Sequence, residues 1–323
     1  MNNTVKKALA ITGGVVTAGL LAGAAAYTVT DLLVRVALDR EKPRVMKNAE
    51  RRISGSGNDA LNGDARREAA RALETRPHEV VGITAEDGTP LVGHWFQQEN
   101  ARRTIIAMHG WRSSWGMDFG FIADFWLQNG CNVLFAEQRG QNNSGGTYMG
   151  FGLTERFDCR SWAEFVTGRC GRDLPVYLAG ISMGAATVLM AAGLELPDSV
   201  HGIMADCGFT SPHAIWEYIT RRNLHMQFRL KGMMADRICR RKLHMGSSDY
   251  STVQALQHTA LPVLLVHGTD DRFVPIEMTY ENYKACAGPK HLLVVPGAAH
   301  GMSYFVDREG YEKTTKDFWA AYD

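Results

Sequence analysis

Six short apolar runs recur through the chain with longer helix-like stretches between them: "TIIAMHG" (104–110), "NVLFAE" (132–137), "VYLAG" (176–180), "GIMAD" (202–206), "VLLVHG" (263–268) and "HLLVVPG" (291–297). A run that is apolar at successive positions, rather than at every second one, must be covered on both faces. Strands of a parallel sheet flanked by helices meet that condition. The pattern therefore predicts an α/β fold with a doubly wound, mostly parallel sheet. Ahead of these runs, "EVVGITAEDGTPLVGHWF" (79–96) alternates around Asp87-Gly88, a dipeptide suited to a tight hairpin, so an antiparallel pair opens the sheet. With 323 residues and 45% apolar composition there is enough material for a large core. Residues 207–262, between the fourth and fifth runs, exceed what one crossover helix needs. They predict a helical cap insertion at about 210–258, over the carboxyl ends of the strands where open α/β sheets bind ligands.

The remaining organisation follows from charge and turn residues. After Lys6-Lys7 no charge appears until Asp31, which leaves "ALAITGGVVTAGLLAGAAAYTVT" (8–30) uncharged. At ~1.5 Å per residue this helix would cover roughly 34 Å, enough for a bilayer core of about 30 Å. Three readings stand: an uncleaved anchor with the catalytic domain extracytoplasmic, a signal cleaved near "AGAAAY" and a secreted product, or a buried helix. Residues 31–38 turn amphipathic, so 1–38 reads as hydrophobic segment plus juxtamembrane helix. The turn-rich "SGSGNDALNGD" (54–64) and the charged helix "ARREAARALETR" (65–76) make 39–76 a linker and short helix, with the main domain over 77–323. The 35 basic and 34 acidic side chains nearly cancel, which argues against a nucleic-acid partner. The six cysteines have neither C-x-x-C spacing nor a histidine at metal-ligand spacing, so buried thiols are expected, with no metal or organic cofactor.

"GISMG" (180–184) lies between the run "VYLAG" and the helical "MGAATVLMAAGLEL". Such a strand-to-helix elbow lifts a serine hydroxyl above the sheet, and its glycines let strand and helix approach. Ser182 then needs a base and a group to orient it. Asp270 and Asp271 follow the fifth apolar run and His300 follows the sixth, so acid and histidine reach the same sheet edge in the order Ser182, acid, His300. Asp206, at the end of "GIMAD", is a further candidate acid. Oxyanion donors are expected from the N–H of Met183, next after the serine, and of Trp111, in the loop after the first run. His109 and His267 read as structural residues satisfied in turns.

"MHGW", "GISMG", "HGTDDRFVP" and "PGAAHG" together resemble the oxyanion, nucleophile, acid and histidine motifs of the α/β-hydrolase superfamily over about residues 79–322. The likeness is to small bacterial hydrolases with an N-terminal hydrophobic segment. It implies the α/β-hydrolase fold, with Asp271 rather than Asp270 as the acid. One stretch departs: where many relatives have D-x-R-G-H-G-x-S-x-G, this chain has "EQRGQNNSGG" (137–146).

The expectation is a serine hydrolase for a small ester or acyl substrate, acting through an acyl-enzyme. Acyltransferase and peptidase chemistry on the same residues is the alternative. A non-catalytic, membrane-anchored binding protein is the alternative of another class. The insertion is basic, with eight Lys/Arg against Glu217 and Asp236 over residues 215–243. A solvated face is the plainer reading and a membrane-surface contact the sharper one. Its apolar residues, among them Trp216, Phe228 and Met233, are expected to pack on the catalytic domain.

Overall fold

The computed structural model describes residues 23–41, 43 and 59–323. All six runs become strands. With the opening hairpin they are β1 (Glu79–Thr84), β2 (Pro90–Phe96), β3 (Arg103–Met108), β4 (Cys131–Ala136), β5 (Val176–Ile181), β6 (Val200–Asp206), β7 (Val263–Gly268) and β8 (Lys290–Val295). They form one sheet in the order β1-β2-β4-β3-β5-β6-β7-β8. β2 pairs antiparallel with β1 and with β4, and every later pairing is parallel.

Both faces are covered, as the apolar runs require. On one, Trp162, Leu178, Val188 and Leu189 share a core, and on the other Phe119, Phe135, Phe318 and Trp319 do. The parallel register brings the ends of β3, β5, β6, β7 and β8 to one edge, where the loops holding Trp111, Ser182, Asp271 and His300 begin. All six cysteines are free thiols, and five are buried.

The insertion contains helices Pro212–Tyr218, Arg229–Leu243 and Thr252–Leu256, and a π-helical turn over Ile219–Asn223. Ile215, Trp216, Ile219 and Phe228 are buried in a third apolar cluster, whereas Met233 is 69% exposed and does not pack on the domain. Much of the positive charge is partnered: Arg221 with Glu217, Arg240 with Asp236 and Asp249, Lys242 with Asp39.

Packing also begins earlier than composition suggests. Residues 59–64, read as turn-rich, are the first turns of a helix, Asp59–Glu74, in which Ala70 and Leu73 are buried. It lies so close to helix Trp115–Phe119 that a Cβ at Gly120 would stand 2.7 Å from the Ala69 carbonyl carbon. A further helix covers residues 23–38, joining the end of the uncharged stretch to the amphipathic one, and Val34, Val36 and Leu38 are buried against the insertion's apolar cluster. Most of the expected anchor, residues 8–22, lies outside the described residues. Among those described, no helix is long and apolar enough to cross a membrane.

Candidate active site

Ser182 sits between β5 and the helix Met183–Ala191 with φ 57° and ψ −116°, a conformation that L side chains seldom adopt. The flanking glycines explain how the turn closes. A Cβ at Gly184 would lie 1.8 Å from the Met108 carbonyl oxygen, and one at Gly180 would lie 2.3 Å from the Gly184 carbonyl carbon. Any side chain at either position would push the elbow apart. The Ser182 N–H is tied to the Asp206 carbonyl at 2.9 Å, so the turn is fastened to β6 as well.

The hydroxyl points to the imidazole. Ser182 Oγ is 2.8 Å from His300 Nε2, and His300 Nδ1 is 2.7 Å from Asp271 Oδ2. Asp271 Oδ1 accepts the N–H groups of Phe273 (2.8 Å) and Val274 (2.9 Å), which aims the other oxygen at His300. Burial works against a charged Asp271, yet His300 and His267 beside it hold its pKa well below the usual carboxylate range. For His300 burial favours the neutral ring, but the Asp271 carboxylate outweighs it and raises the imidazole above its ordinary pKa.

The rival acids are placed elsewhere. Asp270 is exposed and accepts from the Thr269 hydroxyl. Asp206 accepts from the Ser303 hydroxyl at 2.9 Å, and burial pushes its pKa up to about 6. His109 is buried: Nε2 accepts from the Gln138 N–H and Nδ1 donates to the Gly110 carbonyl. His267 does more than fill a turn. Its Nε2 lies 3.0 Å from the Val274 carbonyl and 3.2 Å from Asp271 Oδ2, which puts a second imidazole beside the acid.

Across from the elbow, a Cβ at Gly110 would stand 3.4 Å from Ser182 Cβ, so the 109–113 loop lies against the serine. Among the described residues, neither the Trp111 nor the Met183 main-chain N–H has an acceptor. Asp118 shapes this loop: Oδ2 accepts the Gly110 N–H at 2.6 Å, and Oδ1 accepts from the Ser113 hydroxyl and from Arg66 on helix Asp59–Glu74. Ser114 caps the helix that carries Asp118 by accepting the Met117 N–H. The departing stretch holds the same loop, since Gln141 Oε1 accepts the Arg112 N–H at 2.5 Å and Asn142 donates to the Ser113 carbonyl at 3.0 Å. Glu137 has its own partner, accepting from His94 Nε2 at 2.9 Å as well as from the Asn143 N–H and side-chain amide.

These groups line a cleft of about 540 Å³ that Ser182 and His300 share with Arg66, Trp111, Asn142 and Phe273. The Phe273 ring stands edge-on to His300, centroids 5.0 Å apart. Sequence reasoning missed Asp118, Arg66 and Phe273, and marked the stretch with Gln141 only as a departure from the resemblance. The local signal nearest to any of them is Ser114, a residue suited to cap the helix that carries Asp118.

The sequence family described as serine aminopeptidase, S33 (Hydrolase_4) matches residues 99–255, which takes in the 109–113 loop and the elbow but neither Asp271 nor His300. The uncharacterized protein YqkD of Bacillus subtilis is 27% identical over 240 residues, 73% of this chain and 77% of its own. The uncharacterized protein YfhR of Escherichia coli K12 is 28% identical over 250 residues, 74% of this chain and 80% of its own. Among solved structures, the esterase Pf2001 of Pyrococcus furiosus superposes with a TM-score of 0.60 at 20% identity, covering 76% of this chain and 93% of its own. An esterase from Exiguobacterium antarcticum gives 0.54 at 18%, covering 74% and 99%. The chain has the α/β-hydrolase fold of these neighbours, and the match over residues 99–255 supports a hydrolase.

Proposed function

We propose that the protein is a serine hydrolase that cleaves carboxylic esters through an acyl-enzyme. The single observation that carries this reading is the continuous chain Ser182–His300–Asp271, at 2.8 and 2.7 Å. Ser182 Oγ attacks the acyl carbon while its proton passes to His300 Nε2, and Asp271 stabilises the imidazolium. The oxyanion is received by the N–H groups of Met183 and Trp111. Collapse breaks the bond to the leaving oxygen, which takes the proton from His300. Water then attacks the acyl-serine, gives its proton to His300, and the acid departs as Ser182 regains its hydrogen. Ester and water become acid and alcohol, with Ser182, His300 and Asp271 restored.

An aminopeptidase is the second reading, since the matching family is described as one. It would need a carboxylate to receive a substrate ammonium. Among the described residues lining the cleft, the one carboxylate is Asp118, and both its oxygens are occupied by Gly110, Ser113 and Arg66. Arg66 and Arg112 line the same space, which opposes a cationic substrate. These facts favour the ester.

A fluorophosphonate probe is expected to label Ser182 of the full chain, and Ser182→Ala is expected to lose the label and at least ~1,000-fold in kcat on a p-nitrophenyl ester. Retention of most activity by the variant would remove the serine from its role. Faster turnover of aminoacyl p-nitroanilides than of esters would favour the peptidase. On location, we propose from the uncharged stretch 8–30 a membrane tether with an extracytoplasmic catalytic domain, the secreted form being the alternative. Release of the protein by carbonate washing of membranes would exclude the tether.

A further inference from the structure

Behind the reactive cleft lies a second space of about 70 Å³ whose exposed lining is almost entirely apolar. Trp111 and Phe273 line both spaces, their rings stacked with centroids 6.5 Å apart, so the two spaces adjoin at this ring pair. The far walls come from Trp216 and Phe228 of the insertion and from Leu33 and Ala37 of the helix over residues 23–38.

That helix is fastened at its carboxyl end to Trp111 and Arg112. The last carbonyls of a helix lack partners within it and attract positive donors. Here the Trp111 indole N–H donates to the Ala37 carbonyl at 2.9 Å. The Arg112 guanidinium donates to the carbonyls of Val36 (2.8 Å), Asp39 (2.6 Å) and Arg40 (3.2 Å). Arg112 itself has φ 52°, in the left-handed region that a residue keeps only when its surroundings compel it. The N–H that precedes Arg112 in the chain is the Trp111 amide assigned above to the oxyanion.

We propose that the space behind Trp111 and Phe273 receives the acyl chain of the ester, and that the 23–38 helix both walls it and, through Arg112 and Trp111, positions the second oxyanion donor. The inference rests on the ester-hydrolase reading. The space is small, about 70 Å³, and its exposed lining is almost entirely apolar, so the occupant is a short uncharged acyl chain. Ala37 and Leu33 thereby become specificity-determining residues, and Arg112 a positioning residue.

The test uses the full chain and p-nitrophenyl esters from acetyl to dodecanoyl, with phosphonate labelling of Ser182 as the check on an intact site. The unmodified protein is expected to peak at butanoyl to hexanoyl. Ala37→Phe is expected to lower the hexanoyl-to-acetyl ratio of kcat/KM at least tenfold. Phe228→Ala enlarges the same space and is expected to move the peak to longer chains, so the test survives if one of the two does not fold. Arg112→Lys, which cannot span three carbonyls, is expected to lower kcat about tenfold at every chain length with KM and the peak unmoved. Chain-length profiles unchanged in Ala37→Phe and Phe228→Ala, with Ser182 still labelled, would overturn the chamber assignment and leave the ester reading standing. An Arg112→Lys loss confined to long chains would overturn the positioning role. No hydrolysis of any ester by the unmodified protein would instead sink the underlying reading.

Discussion

On the Ser182 side of the Trp111–Phe273 pair, serine, histidine and acid come from loops at strand ends and the carboxylates are held by several donors: Asp271 has four around it and Asp118, on the short helix Trp115–Phe119, three. On the far side the lining is apolar and comes from helices outside the sheet, one of them more than 70 residues ahead of the loop it touches. The first region is held by directional bonds that admit one arrangement. The second is held by packing, which tolerates change of shape if volume is kept. Reactivity and selectivity are thus built by different physics on either side of two aromatic rings.

The sharpest way to break this comparison is on the polar side. Asp271→Asn keeps the shape of the acid but removes the charge and allows the wrong imidazole tautomer, so kcat is expected to fall by about four powers of ten. The pH profile carries a linked expectation. His300 serves as base when neutral, and the Asp271 carboxylate raises its pKa, so kcat/KM of the unmodified protein should rise with pH through a midpoint above the ordinary ~6.5. In the residual activity of Asp271→Asn that midpoint should move down, because the group that favours the imidazolium is gone. A midpoint that stays put would show that Asp271 does not face the working base.

How much of this could be read beforehand depends on how far apart the contacting residues lie in the chain. The six strands and the residues that follow them were legible because side-chain period and strand-end position are local properties, and the elbow advertised itself through Gly180 and Gly184. From the residues alone the acid at 271 was legible only as one of three candidates, beside Asp270 and Asp206; the resemblance favoured Asp271, and the turn in which Phe273 and Val274 donate to it adds a physical reason. The role of Asp118 was not legible, since its meaning lies in reaching back to Gly110 and across to Arg66. The 23–38 helix was legible as a helix but not as a wall, because nothing in its amphipathic pattern names the face that covers it. Met233 was misread for the same reason: apolar character gave no sign that the residue stays exposed.

Two smaller expectations sharpen the contrast. Asp118→Asn weakens the tie to Arg66 and loosens Gly110 beside the oxyanion position. A fall in kcat of about 10- to 100-fold with little change in KM is expected, and an effect on KM alone would assign Asp118 to substrate binding instead. Arg221→Ala removes one exposed ion pair with Glu217 on the insertion. It should change stability by no more than ~0.5 kcal/mol and leave the chain-length profile as it was. A marked shift of that profile would mean that the basic face, and not the apolar wall, selects the substrate.

The bond from Lys242 to Asp39 joins residues 203 positions apart, and the one from Trp111 to Ala37 spans 74. At a synthesis rate of ~5–20 residues per second, roughly 10–40 s pass between the appearance of Asp39 and that of its lysine. Throughout that interval Val34, Val36 and Leu38 are already made, while the insertion that will cover them is not. The selective half of the pocket is therefore finished late, and a newly made chain carries the apolar side of this helix uncovered for most of its own production.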